Sequence, residues 1–343
     1  MNKYSIMNAK EVLEKKVGVI IPVYFPVGGD DSGATELLRD TVYSYVDLLD
    51  NPSHVCLSVD GTEHGLDIAR GISKECGAGL VYSQKNIGKL GGVRKGVQSL
   101  WNDERLTYFV EVDSDGDHFA NELLNLVRAA IQVQEKFQDD VLVIGTRSSK
   151  HRPMGFLRGE LEELADRILL DALYYHSALS GNVLSLEYAT PIEEYPDFHS
   201  GFKLFSRGSA RAAFMEDPKL YGVNEDAYFR HGCEAVMTVE PLLSFARLVL
   251  VHRSTFNEQP VTTFGLLNRE RMIADKIIWP CKRMHIPGKF VDQWLTNHCA
   301  RLMLNTLVPQ GKSELFQIRQ LVLQAFGIDT EDAEAINWGP LFV

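Results

Sequence analysis

With 343 residues, 45% hydrophobic and 24% charged, the chain is long enough for one large domain or two ordinary ones and has the balance of a globular protein. A formal net charge of −11 argues against the extensive basic face that grips nucleic acid, so no nucleic-acid partner is expected. Five cysteines without a CxxC pair argue against a disulfide framework or zinc knuckle and for a reducing compartment. No apolar run approaches the 18 residues of a membrane span, and the first residues lack a signal-peptide core, which places the expected location in the cytoplasm.

The first 150 residues alternate strand and helix signals. Val17 to Tyr24 is a nearly continuous apolar run, as in a strand buried on both faces. Helical spacing follows over 33–50, then a strand over 54–60 that ends at Gly61. A helix over 63–76, a short strand over 79–83, a helix over 91–100 and a strand over 106–112 come next. A helix over 119–137 and a strand over 141–144 complete the series. This β-α-β-α order predicts an α/β fold with a doubly wound, mostly parallel central sheet flanked by helices. Ligands in such sheets sit at the carboxyl ends of strands, where this chain carries Pro22 to Tyr24, Asp60 to Thr62, Asp113 to Asp115 and Gly145 to Arg147.

Two of these segments carry chemistry. An apolar run from Tyr108 ends in three carboxylates at alternating positions, Asp113, Asp115 and Asp117. Alternation puts all three on one side if the strand direction persists, and a hard cation, Mg²⁺ or Mn²⁺, is the usual remedy for such repulsion. The plainer reading is an acidic turn in water, with Gly116 as its turn residue. Residues 86–96 mix glycines with Lys89, Arg94 and Lys95 ahead of a helix, which suits a diphosphate but equally suits a solvated basic helix face.

Farther along, Leu157, Leu161, Leu164, Ile168, Leu169 and Leu173 mark an amphipathic helix with acids on its other face, read as packed against the sheet. Phe202 and Leu204 alternate with polar neighbours, as in a half-buried strand. Glu225 and Asp226 precede a helical stretch, either as a capping cluster or as the source of a general base. Ser244 to Val251 reads as a strand followed by His252, a structural or solvated histidine that is also placed to serve as a third metal ligand.

Taken in order, Pro22-Val-Tyr24, Val59-Asp-Gly-Thr62, Asn86 to Gly96, Asp113-Ser-Asp-Gly-Asp-His118, Gly145-Thr-Arg147, Asp197 to Arg207 and Glu225-Asp226 resemble family 2 glycosyltransferases of the GT-A fold. Within that family the chain looks most like the polyprenyl-phosphate (dolichyl-phosphate) mannosyl- and glucosyltransferases, over residues 17–255. The resemblance implies that Pro22 and Tyr24 border the nucleotide base and Asp60 contacts base or ribose. Lys89 would flank the nucleotide, and Asp113 and Asp115 would form the DxD motif that holds Mg²⁺ or Mn²⁺ on the donor diphosphate. Asp117 stands where that subgroup often has glutamine, and would add a third charge at the metal. Arg147 and Asp197 would lie on the acceptor side, Asp226 would be the general base, and His252 would be a metal-binding histidine.

These implications set the expected organisation as an extension over 1–16, a GT-A domain over 17–258 and a helical appendage over 259–343. The domain would divide into a nucleotide-binding half, 17–118, and an acceptor half, 119–258. The appendage, with helices around 262–279, 290–306 and 313–326, would cover the acceptor site or form a homo-oligomer interface. Its Trp279 to His285 stretch reads as a solvated helix end. The expected reaction moves a sugar from a nucleoside-diphosphate sugar, UDP-sugar first and GDP-mannose second, to a hydroxyl acceptor with inversion. The alternative acceptor is a lipid phosphate, reached by peripheral contact with a membrane, although the acidic chain shows no basic amphipathic surface for it. Rival classes are a nucleotidyltransferase, whose glycine-rich basic loop after the first strand is absent here, and a non-catalytic nucleotide-sugar-binding protein.

Overall fold

A computed structural model describes residues 6–26, 31–62, 65–189, 194–258 and 268–329. Seven strands form one sheet: β1 (Val17–Val23), β2 (Val55–Asp60), β3 (Gly79–Ser83), β4 (Tyr108–Glu111), β5 (Val141–Arg147), β6 (Lys203–Ser206) and β7 (Arg247–Arg253). Their order is β3-β2-β1-β4-β6-β5-β7. All neighbours are parallel except β6, which runs antiparallel to both β4 and β5.

Helices cover both faces, as a mostly parallel sheet requires. They are α1 (Ile6–Lys16), α2 (Asp31–Val46), α3 (Leu66–Cys76), α4 (Lys89–Leu100), α5 (Leu123–Phe137), α6 (His151–Met154) and α7 (Phe156–Ser180). The later ones are α8 (Arg207–Ala210), α9 (Cys233–Leu243), α10 (Arg269–Arg283), α11 (Gly288–Cys299), α12 (Leu304–Leu307) and α13 (Gly311–Ala325). Two π-helical turns, Arg211–Met215 and Ala227–His231, lie between α8 and α9.

The period of two along each strand divides the core. Val19, Ile21, Val110, Val143 and Leu204 pack on one face with α1, α2, α3 and α5. Ile20, Phe109, Leu142, Ile144 and Phe205 pack on the other with α4, α7, α9 and the helices after residue 268. The order of connection reverses between β1 and β4, whose carboxyl ends therefore border a crevice, the place where doubly wound sheets bind ligands.

The structure departs from the sequence reading in specific ways. Within the expected extension over 1–16, residues 6–16 form α1, which buries Ala9 and Leu13 in the core of its sheet face. β6 is buried on both faces rather than half-buried, since it is inserted between β4 and β5. The strand expected from Ser244 begins at Arg247, because Phe245 takes a left-handed conformation (φ 67°) in the turn after α9. The polar face of α7 is not solvated: Glu160, Glu162 and Asp166 are buried. Trp279 is wholly buried instead of marking a solvated end, and its indole N–H donates to the Lys219 carbonyl at 2.9 Å.

The described helices of the expected appendage share the core of the sheet domain. Ile273, Ile277, Leu295 and Val322 join α7 and α9 in one apolar cluster. Residues 262–267 of the expected first helix lie outside the described residues, and α10 runs from Arg269 to Arg283. Among the described residues no helix is long and apolar enough to cross a membrane.

Candidate active site at the ends of β1, β2 and β4

β2 ends at Asp60, which is buried and accepts two backbone hydrogen bonds from the glycine-rich turn. Ile87 N–H reaches Oδ1 at 2.7 Å and Gly88 N–H reaches Oδ2 at 2.9 Å. Burial pushes the Asp60 carboxyl above its usual range, and these two N–H donors oppose it. Asp60 thus anchors the turn that starts α4, while each oxygen keeps a lone pair for a ligand. Gly88 has φ 89°, and a Cβ there would stand 2.7 Å from the Phe229 carbonyl oxygen, so only glycine fits. Val23 closes β1 directly after Pro22, and Tyr24 beyond it is half-exposed.

α4 begins at Lys89, whose ammonium meets three carboxylates. Asp113 Oδ1 is 2.7 Å away, Glu234 Oε1 2.7 Å and Glu111 Oε1 2.9 Å. The neighbouring Lys203 is fully buried and pairs with the other Glu234 oxygen at 2.6 Å. Burial pushes the Glu111 carboxyl well above the usual range, helped by Asp113 and Glu234 against the pull of Lys89. Burial acts in the same direction on Asp113, but the Lys89 ammonium outweighs it and holds this carboxyl well below that range.

The three aspartates after β4 do not share a side. The strand ends at Glu111, and Gly116, at φ 82°, reverses the chain. Asp113 faces Lys89, while Asp115 Oδ1 accepts the Asp117 N–H at 3.1 Å across the turn. Burial, and then the charge of Asp113, push the Asp115 carboxyl up to about 6. A low and a raised carboxylate side by side are a pair whose repulsion a cation relieves, and two oxygen donors suit Mg²⁺ or Mn²⁺. Asp117 is turned away and buried. Its Oδ2 pairs with Arg253 at 3.1 Å and its Oδ1 accepts the Phe256 N–H at 2.8 Å, so it serves as a buttress rather than a third metal oxygen.

His252 is likewise not delivered to this turn. Adjacent strand residues face opposite sides. Arg253 points inward to Asp117, which leaves His252 exposed on the other side of β7. Among the described residues, the grouping of three His or carboxylate donors within 4.8 Å of one another is His151, Glu160 and Glu163, not Asp113 and Asp115 with His252.

His118 supports the motif from behind. Its Nδ1 accepts the Asp113 N–H at 2.9 Å, and its ring stacks on Phe202 with centroids 5.0 Å apart. Burial and the nearby Arg253 hold its pKa well below the usual value, which fits a neutral ring that accepts at Nδ1. Gly201 allows this packing, since a Cβ there would lie 2.6 Å from Asp113 Oδ2 and 3.0 Å from His118 Cε1. Gly201→Ala is therefore expected to displace the Asp113 carboxylate, and overpacking of about 1–3 kcal/mol predicts a roughly 5- to 150-fold loss of metal-dependent nucleotide binding, read by titration.

The residues assigned to the acceptor side face each other. Arg147 is buried and forks onto Asp197, with Nε to Oδ2 at 2.8 Å and Nη2 to Oδ1 at 2.6 Å, and it also reaches Glu162 at 3.0 Å. Lys150 joins Asp166, whose Oδ1 accepts the His199 Nδ1–H at 2.7 Å. These contacts fix α7 beneath the site and leave neither Arg147 nor Asp197 pointing at an acceptor. Asp226 is different. Its side chain is 71% exposed, enough to meet a ligand, and it pairs with Arg230 at 3.3 Å, one turn on. The capping role falls to Asn224, whose side-chain oxygen accepts the Ala227 N–H at 2.8 Å. Asp226 leads into the π-turn whose Phe229 carbonyl lies against Gly88, which sets it on the rim near the glycine-rich turn.

Sequence reasoning missed Glu111, Lys203, Glu234 and Arg253. A charged residue inside an otherwise apolar strand, as Glu111 and Lys203 are, was the available signal.

No protein-family model and no curated protein matches the chain. Solved structures match over most of its length. One, described as a mycobacterial protein, is 15% identical, with 82% of this chain and 80% of that chain covered at a TM-score of 0.49. Another, a 4-diphosphocytidyl-2C-methyl-D-erythritol synthase from Anaerococcus prevotii, is 13% identical, with 79% of this chain and 96% of that chain covered at a TM-score of 0.39. Likenesses at this level carry no functional assignment.

Proposed function

We propose that this protein is a metal-dependent glycosyltransferase of the GT-A type, which moves a sugar from a nucleoside-diphosphate sugar to an acceptor hydroxyl. The observation that carries the reading is the Asp113-Ser114-Asp115 turn at the carboxyl end of β4, on the crevice where the strand order reverses. Among the described residues Asp113 and Asp115 belong to no group of three His, Cys or carboxylate ligands, and two carboxylates leave coordination positions for donor phosphates, the usual arrangement for Mg²⁺ at a nucleotide. The cation, once bound, would supply Lewis acidity at the departing diphosphate.

The chain's own residues have distinct tasks. Asp60 holds the Asn86–Gly88 turn so that the free N–H groups of the first turn of α4 face the crevice, where they suit a diphosphate. Lys89 adds positive charge there. Tyr24 at the end of β1 is placed to stack on the base. Asp226 accepts the hydroxyl proton as the acceptor oxygen bonds to the anomeric carbon and the bond to the diphosphate oxygen breaks, which inverts the centre. A lipid-phosphate acceptor would need a free cation, and the occupied guanidinium of Arg147 favours the hydroxyl.

Product analysis with UDP- and GDP-sugars plus Mn²⁺ tests this reading. Release of a nucleoside diphosphate with transfer supports it, whereas pyrophosphate release from a nucleoside triphosphate assigns the protein to nucleotidyl transfer. Asp226→Asn is expected to keep donor affinity within about twofold while transfer falls at least ~100-fold, the range of general-base loss. Normal transfer by this variant would sink the base assignment.

A further inference from the structure

We infer that Lys89 is a built-in placeholder for the divalent cation, which occupies Asp113 in the ligand-free protein and releases it only when a cation arrives with a diphosphate. The inference rests on the proposed function. Its basis is geometric: one ammonium lies 2.7 Å from Asp113 Oδ1 while also within 2.9 Å of Glu111 and 2.7 Å of Glu234.

The two lysines of this cluster differ in a way that separates a fixed counter-ion from a movable one. Lys203 is wholly buried and pairs with a single carboxylate, Glu234, and with the Ser200 carbonyl. Lys89 is 24% exposed, as is 32% of Asp113, so solvent and solutes reach their contact. Lys89 also has two other carboxylates that keep it when Asp113 is withdrawn. Its Cα is set by Gly88, which fits against the Phe229 carbonyl, so the exchange needs only side-chain rotation.

A free dication at Asp113 would displace the ammonium from its contact and then stand beside it, charge against charge. A nucleoside diphosphate removes that conflict. Its oxygens accept the ammonium protons, and its negative charge offsets the dication. Cation and diphosphate therefore raise each other's affinity, which is a reciprocal coupling. The consequence is a protein that does not collect bare cations and engages the metal with its donor.

The test is Mn²⁺ binding to the protein alone, read from the free-ion signal in electron paramagnetic resonance. Lys89→Met is expected to bind Mn²⁺ at least ~10-fold tighter than wild type without nucleotide. Loss of the ammonium leaves an extra buried carboxylate, so the double variant K89M/E111Q, which removes both, is measured beside it with circular dichroism as the folding check. Lys95→Met removes the same charge from α4 without touching Asp113, and is expected to gain nothing. Folded Lys89 variants that bind Mn²⁺ no tighter than wild type overturn the inference, as does wild type that binds Mn²⁺ alone as tightly as with UDP, GDP or CDP present. Wild type that takes up none of these nucleotides with Mn²⁺ instead removes the proposed function.

Discussion

Asp115→Asn is expected to abolish the rise in melting temperature that Mn²⁺ and a nucleoside diphosphate together give the wild type, because it removes one of two carboxylates on the turn after β4. At a ligand concentration a hundredfold above Kd that rise corresponds to about 2.7 kcal/mol, well within reach of a thermal scan. The same substitution has an opposite effect on the metal-free protein. Burial and the neighbouring Asp113 raise the Asp115 carboxyl from 3.8 to about 6. A group whose pKa is raised by folding contributes stability that is present below its ordinary value and lost as pH climbs through the raised one. Metal-free wild type therefore loses stability from this group between about pH 4 and 6, and the asparagine variant does not. The variant should melt higher than wild type at neutral pH, and the gap should close near pH 4. A variant less stable than wild type at neutral pH, or an intact Mn²⁺-dependent shift, would contradict the role given to Asp115.

Arg147→Met should be among the most destabilising single changes in the chain. It strips the guanidinium from Asp197 and Glu162, both buried, and leaves two carboxylates without their shared cation. Breaking a buried pair in this way costs about 3–5 kcal/mol, which urea unfolding would show as a lower midpoint. The double variant R147M/D197N should recover part of the loss, since the Asp197 carboxylate no longer needs a partner. A loss under about 1 kcal/mol for the single variant would mean that Lys150, 3.7 Å from Asp197, or water takes the place of the guanidinium. Arg147→Lys should not rescue fully, because a point-charged ammonium cannot fork across both oxygens of Asp197.

What could be read without coordinates was whatever one strand or one helix decides alone. The apolar runs over 17–24 and 141–144 announce strands, and both lie within the sheet as β1 and β5, buried on both faces. A carboxylate that ends such a run, as at Asp60 and after Glu111, marks the binding end of a parallel sheet. Legibility failed where a single backbone reversal or a one-residue register decided the outcome. Gly116 turns Asp117 away from Asp113, and the pleat of β7 presents Arg253 rather than His252. It failed also for pairings between distant elements. Nothing local to Arg147 announces Asp197, and the acids of α7 resemble a solvated face until Lys150 and Lys276 are seen to cover them.

The antiparallel strand has a consequence for how the chain is made on the ribosome. β4 lies beside β1 early in the sequence, but its other edge is completed only by β6, whose residues Lys203–Ser206 come much later. At roughly 5–20 residues per second the nascent chain holds that hydrophobic edge open for about 5–20 s. During that interval the Asp113 turn also lacks Gly201 and Phe202 behind it. Early emergence of the first four strands therefore does not yield a working site, and the exposed flank of β4 is where a chaperone would be needed or a stalled fragment would aggregate.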